Sequence, residues 1–410
     1  MSSTNVARYC YRLRVSPVME RKLLAEWDHA RWVWNRCVEE SKKAHAANLA
    51  NHGTPEQKVT CGPAQLGKML TSWRADNEWL SAGSSVVQQQ MVRGFGKARA
   101  KALADRKAKL PVRQRRGLPK FKSRHRALAS LQYTRNGFSL KADAGTGRVR
   151  LHLAGGIVLR PVWSRELASV PSSVNVYRDA VGDWWSSFVV QVEHEKLAPT
   201  GRVIGVDWGV SVIATTTTDA FDLDHRQRGK SAAGKLARYQ KMMARRRPAK
   251  GQPASNGYTK AKRRAVKLHR QIARQRQDDA RTWAKAVVTE FDQLAVEDFR
   301  PKFLARSTMA KKAADGAIGT TKRELVAMAT KHGRDLRLVD PSYTTMDCFE
   351  CGARAKHRLP LSERTYTCEH CGVVKPRDKN SAAVMVARAG FDPAGVDGGR
   401  PAPPLESQAA

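Results

Sequence analysis

The run Arg202-Val203-Ile204-Gly205-Val206-Asp207-Trp208-Gly209-Val210 carries a single carboxylate in the middle of an apolar stretch. Val and Ile bounded by Gly read as a buried central strand, and an unpaired ionised Asp there is costly to desolvate. A divalent cation compensates such a charge; on this stretch alone, an Asp capping a turn at a strand end is the competing reading. Gly205 and Gly209 flank the acid and let another backbone, or a substrate strand, come close. A second apolar strand, Leu294-Ala295-Val296-Glu297-Asp298-Phe299, also ends in carboxylates. Side chains alternate along a strand, so Glu297 and Asp298 take opposite faces and only one of them can meet Asp207. A third acid, Asp378, stands just ahead of a helical pattern over Ser381 to Ala389. A carboxylate at a helix start is ordinarily a cap, and its meaning depends on its neighbours.

The other chemistry-bearing cluster is Cys348-x-x-Cys351 with Cys368-x-x-Cys371, the two pairs separated by 16 residues. Each CxxC turn offers two thiolates on one side of a knuckle, and two knuckles complete a tetrahedral zinc site. Gly352 and Gly372 follow the second Cys of each pair and suit the left-handed turns that knuckles need. Redox chemistry needs only one pair and is the poorer alternative. Four Cys ligands leave no open coordination position, so this zinc is expected to be structural. The remaining cysteines, Cys10, Cys37 and Cys61, are scattered singly, as in a reducing compartment.

What surrounds these groups is strongly basic. The chain has 410 residues, 74 Lys or Arg against 37 Asp or Glu, and a formal net charge of +37. That length allows two to four domains. The charge calls for a polyanion, with nucleic acid as the leading candidate and a membrane surface as the weaker one, since no stretch approaches the roughly 20 apolar residues of a spanning helix. Met1-Ser2-Ser3-Thr4 leads straight into a strand pattern with no signal peptide, so a cytoplasmic location is expected.

In chain order, residues 8 to 15 alternate as a half-buried strand, and Ser16-Pro17 opens a helix with Leu23, Trp27, Ala30, Trp34 and Cys37 on one face. A loop around Gly53 to Pro63 leads to helices near 64–75 and 84–110. Short strands at 128–134, 149–153, 156–161, 174–179 and 183–193 predict a small antiparallel barrel interrupted by that helical block. From 226 to 277 there are eighteen Lys or Arg and no acid, broken by Pro248, Gly251, Pro253 and Gly257 into a helical hairpin with Ala265, Leu268 and Ile272 as its apolar stripe. Such a hairpin suits a nucleic-acid backbone, through Arg245, Arg246, Arg247, Lys262, Arg263 and Arg264 among others; nonspecific surface charge is the alternative. A helix over 310–333, a strand at Leu336 to Val339 and a disordered tail over 393–410 complete the reading.

Taken in order, Gly-Val-Asp207-Trp-Gly-Val, Val-Glu297-Asp, the two CxxC pairs with Ser362-Glu363-Arg364-Thr365-Tyr366-Thr367 before Cys368, and Arg377-Asp378-Lys-Asn380-Ser-Ala resemble the TnpB family, transposon-encoded RNA-guided nucleases related to type V CRISPR effectors. Trp79-Leu80-Ser81, Val87-Gln88-Gln89-Gln90, Gly117-Leu118-Pro119-Lys120-Phe121-Lys122, Gln132-Tyr133-Thr134 and Trp184 to Val190 extend the resemblance over roughly 8–392. The resemblance implies a multidomain α+β fold: a wedge β-barrel (1–18 and 123–198), an inserted helical recognition domain (19–122), and a split RuvC nuclease domain of the RNase H type (199–345 and 373–392) with a zinc-ribbon insertion (346–372). It also implies that Asp207, Glu297 and Asp378 converge on two Mg²⁺ ions, Asp207 bridging them, with Arg364 at the scissile phosphate. A guide RNA and target double-stranded DNA are the implied partners of a chain expected to act as a monomer. Gln89 and Thr134 match positions used to read a short duplex motif, a role for which Gln suits adenine. Ser85, Val86 and Arg135 differ from relatives beside them, which leaves the motif open. A miniature type V CRISPR effector and a guide-dependent DNA-binding repressor are the alternatives. A DNA-strand-joining transposase is disfavoured, since no Tyr or His-hydrophobe-His signature stands out.

Overall fold

The computed structural model describes residues 5–50, 58–124, 127–143, 147–194, 196–249, 251–357, 359–360 and 362–392. The expected tail and residues 53–57 of the Gly53 loop lie outside them. The chain divides into two compact units, Met1–Glu193 and His194–Ala410. Among the described residues, no helix is long and apolar enough to cross a membrane.

The first unit begins with β1 (Asn5–Arg14), followed by the helical block α1 (Pro17–Ala50), α2 (Pro63–Ala75), α3 (Glu78–Ser81) and α4 (Ser85–Lys107). The Ser16 hydroxyl accepts from the Met19 amide, so Ser-Pro starts α1 as a cap and a preset first residue. Strands β2 (Ser130–Thr134), β3 (Phe138–Ala142), β4 (Val149–Leu153), β5 (Ile157–Pro161), β6 (Ser173–Arg178) and β7 (Trp184–Val192) then join β1 in an antiparallel sheet of order β2-β6-β7-β1-β5-β4-β3. The expected barrel takes the form of a curled sheet, since side chains from its two end strands meet in one core with Tyr11, Leu151, Val174 and Phe188. Strand β3 was missing from the sequence reading, because two turn signals bracket so short a segment. The inserted helices close a second core around Val33, Cys37, Leu66, Leu80 and Phe95.

The second unit is built on a five-stranded sheet of order β10-β9-β8-β11-β12. Strands β8 (Val203–Trp208), β9 (Val212–Thr216) and β10 (Leu223–Asp224) run antiparallel to one another in sequence. Helices α5 (Arg228–Ser231), α6 (Ala233–Arg245) and α7 (Asn256–Glu290) precede β11 (Gln293–Glu297), and α8 (Ala310–Gly316) and α9 (Ile318–His332) precede β12 (Asp335–Val339). Both β11 and β12 pair in parallel, with β8 next to β11. A hairpin, β13 (Thr365–Thr367) and β14 (Val374–Pro376), leads directly into α10 (Arg377–Arg388). Ile204, Val206, Leu294 and Val296 face α7 and α9. Val203 and Ala295 face α10 on the opposite side.

Two expectations need correction here. The helix read over 310–333 is two helices, broken where Ala317 takes φ +53°, a turn conformation rarely adopted by non-glycine residues. Gly257 does not break the basic hairpin but lies in the first turn of α7, where the Ser255 hydroxyl accepts from the Tyr258 amide and sets the start one residue before it.

Candidate active site and four-cysteine module

The parity of the strands decides which acids meet. Val203, Gly205 and Asp207 point to the α10 side of β8, and Ala295 and Glu297 to the same side of β11, because Gly205 lies opposite Ala295 and Val206 opposite Val296. The Trp208 amide donates to Glu297 Oε2 at 3.0 Å, and the Trp208 indole to the Glu297 carbonyl at 3.1 Å. Asp298 faces away and accepts from Lys322 at 2.6 Å. The third acid reaches the sheet because Gly205 has no side chain. A Cβ there would lie 2.0 Å from the Ala382 carbonyl oxygen, so only glycine lets the first turns of α10 settle on β8.

The electrostatics are those of acids short of countercharge. Burial, then the neighbouring Glu297 and Asp378, push the Asp207 carboxyl well above its usual range. Burial pushes Glu297, 7% exposed, up to about 7 against the pull of the Trp208 amide and Lys322. Asp207 and Glu297 are within hydrogen-bonding reach of each other, and this contact raises the proton affinity of Asp207. The nearest fixed cations are Arg377, 3.3 Å from Asp378, and Arg364, 3.5 Å from its other oxygen. Carboxylate oxygen donors on three separate elements fit a hard divalent cation. They are not gathered as tightly as the cysteines: among the described residues, only the four thiols converge as a metal-binding group, all four sulfurs lying within 4.8 Å.

In the cysteine module, Cys348 Sγ is 3.7 Å from Cys371 Sγ, and Cys351 Sγ is 3.6 Å from Cys368 Sγ. A tetrahedral zinc with bonds of about 2.3 Å needs sulfurs about 3.8 Å apart, so the set fits zinc. The knuckles are built alike. Gly352 and Gly372 stand at φ +72° and +73°, and each donates its amide to the carbonyl of the first Cys of its pair. The Cys371 and His370 amides hold the Cys368 thiol down to about 6, toward the thiolate that binds metal.

One helical turn ties the two clusters together. Successive residues of a helix point about 100° apart, and the four residues opening α10 each take a different partner. Arg377, 6% exposed, donates to the Pro360 carbonyl and to Asp378. Lys379 donates to both oxygens of Asp222 and to the Thr216 carbonyl. Asn380, wholly buried, grips the backbone on either side of Cys348. Sequence reasoning read only the acid of this turn; the mixed Arg-Asp-Lys-Asn string, too polar for a buried helix start, was the available signal.

The remaining expected contacts lie elsewhere. Arg245, Arg246 and Arg247 end α6 or follow it, and Lys262, Arg263 and Arg264 lie on α7; all six are exposed, and α6 buries none of its residues. Gln89 is exposed on α4, in a groove shared with α2 and lined by Gly67, Leu70, Arg74 and Arg93. Thr134 ends β2 beside Ser173 and does not line that groove.

Residues 187–307, which include Asp207 and Glu297, match the family OrfB_IS605, described as "Probable transposase". Residues 319–385, with the four cysteines and Asp378, match the "Cas12f1-like, TNB domain" family. A Streptomyces pristinaespiralis protein named "Putative RNA-guided DNA endonuclease" is 29% identical over 344 residues, 82% of this chain and 80% of that protein. InsQ of Escherichia coli (strain K12), under the same description, is 25% identical over 378 residues, 87% and 86% of the two chains. TnpB-like protein L79 of Acanthamoeba polyphaga mimivirus is 26% identical over 134 residues, 31% of this chain and 25% of that one. The Cas12f1 chain of a Cas12f1-sgRNA-target DNA complex superposes with a TM-score of 0.57 at 12% identity, over 93% of this chain and 98% of that one, a likeness of fold. Both matched segments contain the acids and cysteines just described, and through them the chain is similar to RNA-guided DNA endonucleases and TnpB-like proteins.

Proposed function

We propose that the protein is an RNA-guided DNA endonuclease. It binds a guide RNA, recognises a short motif beside the target in duplex DNA, and hydrolyses phosphodiester bonds at one split RuvC site. The observation that carries this reading is Asp207 beside Glu297 on the sheet face covered by α10, whose first turn holds Asp378. The descriptions of the Streptomyces and Escherichia coli relatives support it.

In this reading 1–18 with 123–198 form the wedge, 19–122 the recognition block, 199–345 with 373–392 the RuvC domain, and 346–372 the zinc ribbon. Asp207, Glu297 and Asp378 would together hold the two Mg²⁺ ions. Such ions would supply an activated water and relief of charge on the leaving oxygen. The Trp208 amide fixes the Glu297 carboxylate, and Arg377 holds Asp378 from the side away from solvent. Arg364, its side chain 60% exposed, turns from Asp378 to the scissile phosphate when DNA is bound. The exposed cations of α6 and α7 hold nucleic-acid backbone, the guide paired with the target strand supplies sequence selection, and Gln89 and Thr134 contribute to motif reading. Zinc on the four cysteines is structural. A repressor acting by occupancy needs no intact acid set, whereas this chain keeps all three acids; a CRISPR effector differs in the locus of its guide.

The test is Asp207→Ala in the guide-loaded protein. Cleavage of a matched duplex is expected to fall by roughly 10³-fold or more, the worth of about 4 kcal/mol of transition-state stabilisation, with target binding retained. Undiminished cleavage overturns the active-site assignment. Sequencing the RNA that copurifies with the chain tests the guide: a discrete RNA with a variable end is expected, and random cellular RNA would refute guidance.

A further inference from the structure

The four-cysteine module and the acid site share a helix turn with no linker between them. Strand β14 of the module ends at Pro376 and α10 begins at Arg377, one residue before Asp378. The Arg377 amide donates to the Arg364 carbonyl at 2.7 Å, so the module's hairpin runs directly into the helix. Asn380 adds a second tie from the other end of the module. Its side-chain amide donates to the Asp347 carbonyl at 2.8 Å and accepts from the Phe349 amide at 3.1 Å. These backbone groups stand immediately before and after Cys348, and one amide orientation alone satisfies both. The side chain is fully buried, so losing either partner leaves an unsatisfied polar group. Arg388, further along α10, reaches the Asp347 carboxylate at 2.5 Å. On the opposite side of the turn, Lys379 anchors α10 to Asp222, next to β9. Asp378 therefore sits between an anchor on the sheet and an anchor on the first knuckle.

We infer that Asn380 is the positioning residue through which the four-cysteine module sets the place of Asp378, so that zinc on the thiolates raises the affinity of the carboxylate site for a divalent cation. This rests on the reading of Asp207, Glu297 and Asp378 as a metal site. The chain of cause is short. Zinc fixes Cys348, Cys348 fixes the carbonyl of Asp347 and the amide of Phe349, and these hold the Asn380 amide two residues beyond Asp378. Without zinc the knuckle has no reason to keep that backbone in register, and the Asn380 side chain loses its fixed partners. Residues that orient metal ligands typically change metal affinity by about 10-fold to 100-fold when lost.

The experiment titrates the full-length protein with Mn²⁺ as the probe, following free Mn²⁺ by electron paramagnetic resonance. Four states are compared: wild type with zinc, wild type stripped of zinc by a chelator, and Asn380→Leu in both conditions. Stripping zinc from wild type is expected to weaken Mn²⁺ binding about tenfold. Asn380→Leu with one zinc per chain is expected to show the same loss, and stripping it adds little further, because both perturbations cut one connection. If Asn380→Leu does not retain zinc, it is expected to match stripped wild type; a zinc-free variant that binds Mn²⁺ like loaded wild type overturns the inference. So do unchanged Mn²⁺ affinity in stripped wild type, and losses that simply add. Asp207→Asn separates the two levels of the argument. If it leaves Mn²⁺ binding intact, the carboxylates are no metal site, and the nuclease reading falls together with this inference. If binding depends on Asp207 but ignores zinc, the nuclease reading stands and only the coupling through Asn380 is lost.

Discussion

In the proposed reading the acid site and the cysteine module both hold cations, yet they are assembled in opposite ways. The module closes on itself: each knuckle makes its own turn, and its sulfurs already stand at spacings that suit zinc. The acids come from β8, β11 and α10: Asp207 and Glu297 meet each other, while Asp378 leans on arginine. A site made of local turns has its ligand spacing set within one short segment, whereas one made of distant carboxylates gathers like charges that a cation must offset.

The sharpest way to break this contrast is Cys368→Ser. Structural zinc in small modules is worth about 10 kcal/mol or more of apparent binding energy, so metal analysis is expected to find about one zinc per chain in wild type and none in this variant, whose C-terminal unit should melt at much lower temperature. Unchanged zinc content would remove the module from the comparison. Next in size is Gly205→Ala, whose Cβ would lie 2.0 Å from a backbone oxygen. Overpacking against a rigid neighbour is expected to cost about 3 kcal/mol or more in chemical denaturation, and to abolish Asp207-dependent Mn²⁺ binding.

A third measurement reads the stored repulsion. The Glu297 carboxyl is raised from the ordinary 4.5 to about 7, so the unfolded chain releases this proton at lower pH than the folded one. Stability is then full below about pH 4.5 and falls as pH rises through 7, by up to about 3 kcal/mol, with Asp207 acting in the same sense. Thermal melts of the Mg²⁺-free protein should drop between pH 5 and pH 8; Glu297→Gln should flatten the drop, and added Mg²⁺ should restore the loss. A melt that rises over this range would show that the acids are already compensated. The smallest effect is expected for Gly352→Ala. Nothing lies within 4 Å of a Cβ there, so only the left-handed backbone is penalised, by about 1 kcal/mol. The same change at Gly205 and Gly352 thus separates crowding from backbone strain.

These differences also explain what could be read from the sequence. The CxxC pairs carry their geometry in their spacing, and strand β8 announces itself by Val, Ile and Gly around one acid. Alternation correctly restricted the choice at 297 and 298 to one residue, and the structure turns Glu297, not Asp298, toward Asp207. The approach of Asp378 was not legible by residue pattern, because it depends on a missing side chain at Gly205 meeting a carbonyl at Ala382, far along the chain. Arg377, Lys379 and Asn380 stand in the motif around Asp378 without a role read for them, for the same reason: Lys379 and Asn380 take partners in segments that no local pattern connects. The break at Ala317 escaped notice because alanine is the strongest helix former and gives no warning of a left-handed turn. Its neighbour Gly316, crowded by Ile213, was the better clue.

Helix α1 has a mechanical consequence. Its first turns, through Leu23, Trp27 and Ala30, belong to the core of the curled sheet, and its later ones, through Val33, Cys37, Val38 and Ala44, to the core of the helical block. The helix runs unbroken from Pro17 to Ala50. It therefore works as a stiff axle fixed in both hubs. The helical block cannot turn against the sheet by bending at a hinge between Ala30 and Val33, and the two cores of this unit are expected to melt in one transition.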